Sequence, residues 1–150
     1  MIGHEQELQI LLVEDNPADA EMTMDALRAS GLVNRVRWAR DGAEALDVLF
    51  GHGAESAAAG QRLRLILLDL RLPRVDGIEV LRAVRADEHT RLLPVVILTS
   101  SREESDLVRA YNLGANSYLV KPVEAETFMK SVGELGLYWM LLNQVPGETK

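Results

Sequence analysis

Short apolar runs alternate with stretches of helical periodicity along the chain. Five runs have the length and the Ile, Leu and Val content of strands, at 8–13, 33–39, 63–68, 94–98 and 117–120. After each run, apolar residues recur every three or four positions, which predicts helices from Pro17 to about Ser30, Asp41 to Phe50, Asp76-Gly77 through Arg85, Glu103 to Leu113, and Glu124 to about Leu142. The pattern therefore predicts five consecutive β–α units.

The strand-length runs are almost continuously aliphatic instead of alternating between apolar and polar residues. Such strands are typical of a parallel sheet that is buried on both faces. Because β–α–β crossovers are right-handed, the helices must be divided between the two faces of the sheet. We therefore predict an α/β fold, a doubly wound five-stranded parallel sheet.

Local signals place several of the boundaries. Asn16 followed by Pro17 has the arrangement of an N-cap and first helical residue, and Gly31 and Gly114 are positioned to end helices. Residues 51–62 are small, polar and flanked by glycine, which predicts a flexible surface excursion and not a domain linker. We expect one domain over 1–150, with a core of about 8–142 and a short tail at 143–150.

Composition narrows the class of protein. The chain has 150 residues, 47% of them hydrophobic, with a net charge of −7 and no cysteine. The acidic balance argues against a broad nucleic-acid-binding face, and the missing cysteines exclude disulfides and thiolate metal sites. The first residues lack a leader pattern, and no apolar run approaches the ~18 residues that span a bilayer. We expect a soluble, cytoplasmic protein with no membrane partner.

Polar residues follow four of the predicted strands directly. Glu14-Asp15 follows the first, Asp69 the third, Thr99-Ser100 the fourth and Lys121-Pro122 the fifth. In open parallel sheets, ligands bind beyond the carboxyl ends of the strands. Three carboxylates, a hydroxyl and an ammonium group are therefore expected on one rim.

This set of groups is suited to phosphoryl chemistry. Clustered carboxylates resist joint ionisation unless a cation lies among them, and oxygen ligands without nearby His or Cys favour Mg²⁺. An Asp in such a site can act as a nucleophile towards phosphorus, while the metal ion and a lysine neutralise the phosphoryl oxygens. The sequence thus predicts a magnesium-dependent phosphoryl acceptor.

The same residues resemble the signature of a two-component response-regulator receiver domain. The resemblance covers about residues 8–142 and rests on Glu14-Asp15, Asp69 with Pro73 and Gly77, Thr99 with Ser100, Tyr118, and Lys121-Pro122. It implies a flavodoxin-like sheet with strand order 2-1-3-4-5 and a role in phosphorelay signal transduction. It also implies a phosphoprotein that assists its own phosphorylation and dephosphorylation and is not otherwise an enzyme.

The resemblance also assigns roles to these residues. Asp69 would be phosphorylated by a histidine kinase or phosphotransfer protein. Asp15, Asp69 and the backbone carbonyl of Arg71 would ligate Mg²⁺, and Glu14 would act from nearby or through water. Lys121 would pair with the phosphoryl group and precede a cis proline. Thr99 and Tyr118 would form the switch pair, and the side chains of Arg71 and Ser101 would tune the lifetime of the acyl phosphate.

Simpler interpretations remain for single positions. Asp15 alone could be a helix cap, Lys121 a surface lysine and Tyr118 a core aromatic, whereas Asp76 is expected to be a cap. Other classes of protein would differ at these positions. An aspartyl-phosphate hydrolase of the haloacid dehalogenase type would carry a D-x-D motif after the first strand. A flavin or nucleotide binder would have a phosphate loop in place of Glu14-Asp15, and a degenerate receiver would have lost Asp69, Thr99 or Lys121.

The output of such a domain is expected to be a protein contact. After Leu142 the remaining residues are too few for a DNA-binding domain, so no nucleic acid is expected as a partner. Phe128, Val132, Leu135, Trp139 and Leu142 form an apolar stripe suited to the core. The glycines beside it, Gly133 and Gly136, indicate either an earlier end of the helix or the close approach of another backbone. The apolar ending at 137–142 suggests a homodimer through helix 4, strand 5 and helix 5. Alternatively, this segment covers its own sheet. The chain also resembles single-domain regulators that partner phytochrome-like histidine kinases.

Overall fold

The computed structural model describes residues 9–32, 35–51, 63–100 and 104–136. Its centre is a parallel sheet of five strands in the order β2-β1-β3-β4-β5, which confirms the predicted fold class and strand order. The strands are β1 (Ile10–Val13), β2 (Val36–Ala39), β3 (Leu65–Asp69), β4 (Val95–Thr99) and β5 (Ser117–Val120).

Each strand is followed by a helix, so all five predicted helices are present. They are α1 (Pro17–Ala29), α2 (Gly42–Phe50), α3 (Gly77–Ala86), α4 (Glu104–Asn112) and α5 (Ala125–Glu134). Asn16 caps α1 through its side chain, as predicted, and Asp41 caps α2 in the same way. Gly31 and Gly114 both have positive φ angles, which explains why glycine follows α1 and α4.

Alternate strand residues pack into two separate cores, one on each face of the sheet. Leu11 and Val13 of β1 join the core formed with α2, α3 and α4. Ile10 and Leu12 join the core formed with α1 and α5. All five residues of β3 are buried, because this strand is central and is covered on both faces. The continuous aliphatic runs are therefore explained by two-sided burial.

Two strands extend one residue further than predicted. We expected β3 to end at Leu68 and β4 at Leu98, but Asp69 still pairs with Leu98 and Thr99 still pairs with Val120. The apolar pattern could not show this, because ladder hydrogen bonds involve the backbone and continue after the aliphatic residues stop. The two polar side chains consequently project from the regular sheet and not from a loop.

The fifth helix is shorter than predicted. It ends at Glu134, with Leu135 at the C-cap and Gly136 at φ +75°, whereas the apolar stripe predicted a helix to about Leu142. A glycine in the left-handed region is the usual way to terminate a helix, so Gly136 stops α5 despite the apolar residues that follow it. The stripe residues Trp139 and Leu142 lie outside the described residues.

Some predictions fall on parts of the chain that the structure does not describe. These are residue 8 of the first predicted strand, residues 33 and 34 of the second, positions 52–62 of the predicted excursion, Ser101, Glu103 at the start of the fourth predicted helix, and the tail at 143–150. Among the helices of the described ranges, none has the length and apolarity that a membrane crossing needs.

At the amino ends of β4 and β5, the side chain of Arg85 joins two loops. Its guanidinium group donates hydrogen bonds to the carbonyl oxygens of Leu93 at 2.7 Å and Gly114 at 2.7 and 3.2 Å. It also donates to Asn116 Oδ1, which in turn accepts a bond from the backbone N–H of Val95. Arg85 thereby ties the end of α3 to the segments that lead into β4 and β5.

Candidate functional site

An open pocket of about 190 Å³ lies at the carboxyl ends of β1, β3, β4 and β5. Six predicted site residues meet in it, although they follow four different strands: Glu14, Asp15, Asp69, Arg71, Thr99 and Lys121. Its wall also includes Asn16, Asp19, Leu70, Leu98, Ser100, Asp106 and Leu107. The predicted convergence on one rim is therefore found in the structure.

Three carboxylates on the floor of this pocket are close enough to share one cation. Glu14, Asp15 and Asp69 each offer an oxygen atom, and these atoms all lie within 4.8 Å of one another. Glu14 and Asp69 are buried, whereas Asp15 is exposed. Hard oxygen donors with no His or Cys among them are the ligands that Mg²⁺ prefers. The donor set therefore fits the magnesium ion that the sequence predicts.

Lys121 connects the carboxylates. Its ammonium group lies 2.8 Å from Glu14 Oε1, 2.8 Å from Asp69 Oδ2 and 3.0 Å from Asp19 Oδ2, and only 8% of its side chain is exposed. The interpretation of Lys121 as a surface lysine is therefore wrong. The peptide bond between Lys121 and Pro122 is cis, as the resemblance implied.

Burial and neighbouring charges shift the pKa values of two groups in the pocket. Burial raises the pKa of Glu14 to about 7; the hydrogen bond from Lys121 opposes this rise, and the charge of Asp69 adds to it. Burial by itself would lower the pKa of Lys121, but its hydrogen bonds to Asp69 and Glu14 outweigh burial and hold that pKa above its usual range. The lysine is therefore charged, and it compensates the acids around it.

The main chain around Glu14 is fixed from three directions. Its N–H donates to Ala39 O at 3.0 Å, and its carbonyl oxygen accepts a 2.7 Å hydrogen bond from the indole N–H of Trp38. The Glu14 carboxylate also accepts a bond from the backbone N–H of Asn16 at 3.1 Å. These contacts hold the segment that carries Asp15 at the pocket floor.

The loop between β3 and α3 packs closely under Asp69. The backbone N–H of Arg71 donates to Asp69 Oδ1 at 2.9 Å, and the N–H of Gly77 donates to Leu70 O. A Cβ atom on Gly77 would collide with the main chain of Asp69 and Leu70, which explains the glycine. Asp76 occupies the N-cap position of α3, but its side chain makes no capping hydrogen bond within the described residues. The prediction for Asp76 was right about position and wrong about the side-chain cap.

The two predicted switch residues lie in different places. Thr99 lines the pocket, whereas Tyr118 is not part of its lining and has 43% of its surface exposed. The Tyr118 ring makes an edge-to-face contact with Tyr111 of α4, with 6.4 Å between the ring centres. Tyr118 also borders a second groove of about 430 Å³, formed with the segment from Leu119 to Thr127. The interpretation of Tyr118 as a core aromatic is therefore wrong.

Sequence reasoning missed Asp19 and Asp106 as residues of the pocket wall. Asp19 is three residues after the N-cap of α1, where an acid is usually explained by the helix alone. Asp106 lies on α4, and its carboxylate is 3.7 Å from the guanidinium group of Arg71. The available signal for Asp19 was its place in the first turn of a helix that starts at the rim.

Comparisons with known proteins agree with this geometry. A family model described as "Response regulator receiver domain" matches residues 10–133. The chain belongs to this family of two-component signalling proteins.

Individual relatives are similar over nearly their whole length. "Probable methanogenesis regulatory protein FilR2" of Methanothrix harundinacea is 47% identical, over 92% of this chain and 87% of the relative. The solved structure of the bacteriophytochrome response regulator AtBRR is 54% identical, with a TM-score of 0.77, over 92% of this chain and 99% of that one. The Mn²⁺-bound form of response regulator Rcp1 is 36% identical, with a TM-score of 0.70, over 92% and 96%.

Proposed function

We propose that this protein is a stand-alone response regulator that accepts a phosphoryl group on Asp69 in a magnesium-dependent reaction. The observation that carries the proposal is the contact of Asp69 with Lys121 at 2.8 Å, beside the carboxylates of Glu14 and Asp15 and the hydroxyl-bearing Thr99, all in one open pocket. The donor would be a phosphohistidine of a histidine kinase or of a phosphotransfer protein.

In the transfer, an oxygen of the Asp69 carboxylate bonds to phosphorus as the bond between phosphorus and the imidazole nitrogen of the donor breaks. The electron pair leaves with the imidazole, which then takes a proton. The backbone N–H of Arg71 bonds the other carboxylate oxygen and orients Asp69 for attack. Lys121 pairs with the incoming phosphoryl oxygens, and Thr99 offers them a hydroxyl group.

The residues that would hold magnesium are Asp15, Asp69 and the backbone carbonyl of Arg71, with Glu14 acting from nearby or through water. A bound Mg²⁺ neutralises charge on the phosphoryl oxygens. The crystal structure of Rcp1 with Mn²⁺ supports a divalent ion in this family, and the three carboxylates within 4.8 Å supply the matching oxygens. The relief of repulsion among these acids favours the same ion.

The signal would leave through the surface of α4, β5 and α5. In this scheme Thr99 moves towards the new phosphoryl group and Tyr118 turns inward, so that phosphorylation shifts the population of two surface states. The exposed apolar side chains that support this face are Val108, Tyr111, Tyr118 and Val120. We propose a homodimer through it, and a phytochrome-like kinase as the partner that phosphorylates the protein.

Labelling with beryllofluoride or acetyl phosphate in the presence of Mg²⁺ tests the acceptor. The wild type is expected to form a one-to-one adduct and Asp69→Asn none. Asp76→Asn is the matched control, because it removes an acid from the same loop without touching the pocket lining, and it should label like the wild type. Equal labelling of Asp69→Asn would overturn the assignment.

Sedimentation with and without beryllofluoride tests the proposed dimer. The dimer fraction is expected to change when the adduct forms, and Val120→Asp should abolish the dimer. Leu92→Asp is the control, because Leu92 is 80% exposed but lies before β4, away from this face. A sedimentation coefficient that is unchanged both by beryllofluoride and by Val120→Asp would contradict the dimer.

A further inference from the structure

Lys121 has three carboxylate partners, and one of them does not belong to the proposed metal site. Glu14 and Asp69 contact the lysine and are also two of the three acids that converge within 4.8 Å. Asp19 contacts the lysine at 3.0 Å but is not part of that group. It comes from α1, 102 positions away in the sequence, so no local constraint of the chain places it beside Lys121.

The carboxylate of Asp19 can contact Lys121 because it is not needed to cap α1. Glu14 accepts the hydrogen bond that an acid at this position usually accepts. An acid three residues after an N-cap commonly reaches back to the backbone N–H of the cap residue. Here that N–H, of Asn16, donates to the Glu14 carboxylate. Asn16 Oδ1 meanwhile accepts from the backbone N–H of Asp19, which completes the cap without the Asp19 carboxylate.

The second helix shows the alternative. Asp41 caps α2, and Glu44 stands three residues later, in the place that Asp19 has in α1. The Glu44 carboxylate accepts a 3.0 Å hydrogen bond from the backbone N–H of Arg40 and so remains at its own helix end. The same position therefore serves the helix in α2 and the pocket in α1.

We propose that Asp19 is a positioning residue that holds the ammonium group of Lys121 at the pocket when the metal ion and the phosphoryl group compete with it for Glu14 and Asp69. This inference rests on the proposed function. A cation among Glu14, Asp15 and Asp69 competes with Lys121 for the same oxygens, because positive charges repel. Asp19 is the partner that this competition leaves in place.

A double-mutant cycle in the full chain separates positioning from a general charge effect. Asp19→Asn keeps the shape of the side chain and removes its charge, and Lys121→Met removes the group that is positioned. With Lys121 present, Asp19→Asn is expected to slow adduct formation from acetyl phosphate at saturating Mg²⁺ about tenfold. A rate change of this size corresponds to the loss of one hydrogen bond between charged groups. In the Lys121→Met background the same change should slow it less than twofold.

Calorimetric titration with Mg²⁺ alone gives a readout that needs no phosphorylation. Asp19→Asn should weaken Mg²⁺ binding several-fold when Lys121 is present, because the lysine then stays over the shared oxygens, and markedly less in the Lys121→Met background. Asp106→Asn is the matched control, since it removes one charge from the same pocket wall. Its effect on Mg²⁺ affinity should be the same in both backgrounds.

Equal effects of Asp19→Asn in the two backgrounds, in either measurement, would overturn the positioning role. This failure is distinguishable from failure of the proposed function. A wild type that forms no adduct contradicts phosphorylation at Asp69, whereas the Mg²⁺ cycle still reports whether Asp19 acts through Lys121.

Discussion

Two partly buried cations, Lys121 and Arg85, stand at opposite ends of the sheet, and their partners differ in kind. Lys121 lies at the carboxyl ends of the strands and contacts three carboxylates. Arg85 lies at the amino ends and donates to backbone carbonyl oxygens and to the amide of Asn116. Burial lowers the pKa of Arg85, whereas the carboxylates raise that of Lys121.

The difference separates a fixed contact from an exchangeable one. Carbonyl partners belong to the main chain and cannot leave, so Arg85 holds two loops in one arrangement. The carboxylates around Lys121 can turn to another cation or to a phosphoryl group, so this lysine can exchange partners without unfolding the chain. Four predictions test the contrast, from the largest expected effect to the smallest.

Replacing Lys121 should have the largest effect, and one that depends on magnesium. In a chelating buffer, Lys121→Met is expected to lower the free energy of unfolding by about 3 kcal/mol, because buried acids lose their counter-charge. Mg²⁺ should remove much of this deficit, since the ion binds the folded state and supplies positive charge. Urea denaturation with and without Mg²⁺ measures both values, and an equal deficit in the two buffers would show that Lys121 is no counter-charge.

Replacing Arg85 should lower the free energy of unfolding by about 2 kcal/mol, and this loss should not depend on magnesium. Arg85→Met leaves the carbonyl groups of Leu93 and Gly114 without their donor, and such losses cost about 1–3 kcal/mol. The control is Arg82→Met on the same helix, whose guanidinium pairs with Glu79 at the surface and should change stability by less than about 0.5 kcal/mol. A magnesium-dependent deficit in Arg85→Met would break the comparison.

Crowding Arg85 should also destabilise the protein. Gly114 has φ +98°, and a Cβ atom there would lie 2.7 Å from Arg85 Nε, so Gly114→Ala is expected to cost about 2 kcal/mol. Gly136→Ala separates the two causes, because Gly136 has φ +75° but no described atom near the new methyl group. It should cost about 1 kcal/mol, the backbone strain alone. Equal thermal shifts would mean that the contact with Arg85 contributes nothing.

A neutral donor at the same end of the sheet should matter least. The buried hydroxyl of Thr90 donates to Val84 O at 2.7 Å, one residue before Arg85. Thr90→Val removes this donor at nearly constant volume and is expected to cost about 1 kcal/mol. Thermal denaturation of Thr90→Val and Arg85→Met under the same conditions measures the two losses of stability. If the two losses were equal, the charged donor would not contribute more than the neutral one.

The fold and the pocket floor were predictable because they depend on where apolar runs stop. Two-sided burial demands continuous aliphatic strands, so the carboxylates of Asp15 and Asp69 stand out where those strands end. The end of β3 was predicted one residue early, because backbone pairing continues past the last apolar residue and side-chain polarity does not report it. Asp19 was missed because its helical position already had a local explanation. Its carboxylate is free of that role because the backbone N–H of Asn16 donates to the Glu14 carboxylate instead.

Two other outcomes depended on geometry that the pattern does not contain. Asp76 stands where a cap stands, yet the backbone bond from Gly77 to Leu70 shapes the start of α3. The apolar residues after α5 predicted a longer helix, whereas the positive φ of Gly136 ends it. In both cases the main-chain conformation determines where the helix begins or ends, and side-chain composition alone does not predict it.

The indole of Trp38 gives the protein an optical reporter of its own site. Its N–H is bonded to the carbonyl oxygen of Glu14, and the guanidinium carbon of Arg40 lies 4.5 Å from the ring centre. The chain has two tryptophans, so Trp139→Phe leaves Trp38 as its single tryptophan. The indole of Trp38 is hydrogen-bonded to Glu14, which in turn contacts Lys121. We expect the tryptophan emission to change when the pocket is occupied, so that binding can be followed by stopped-flow fluorescence without a label.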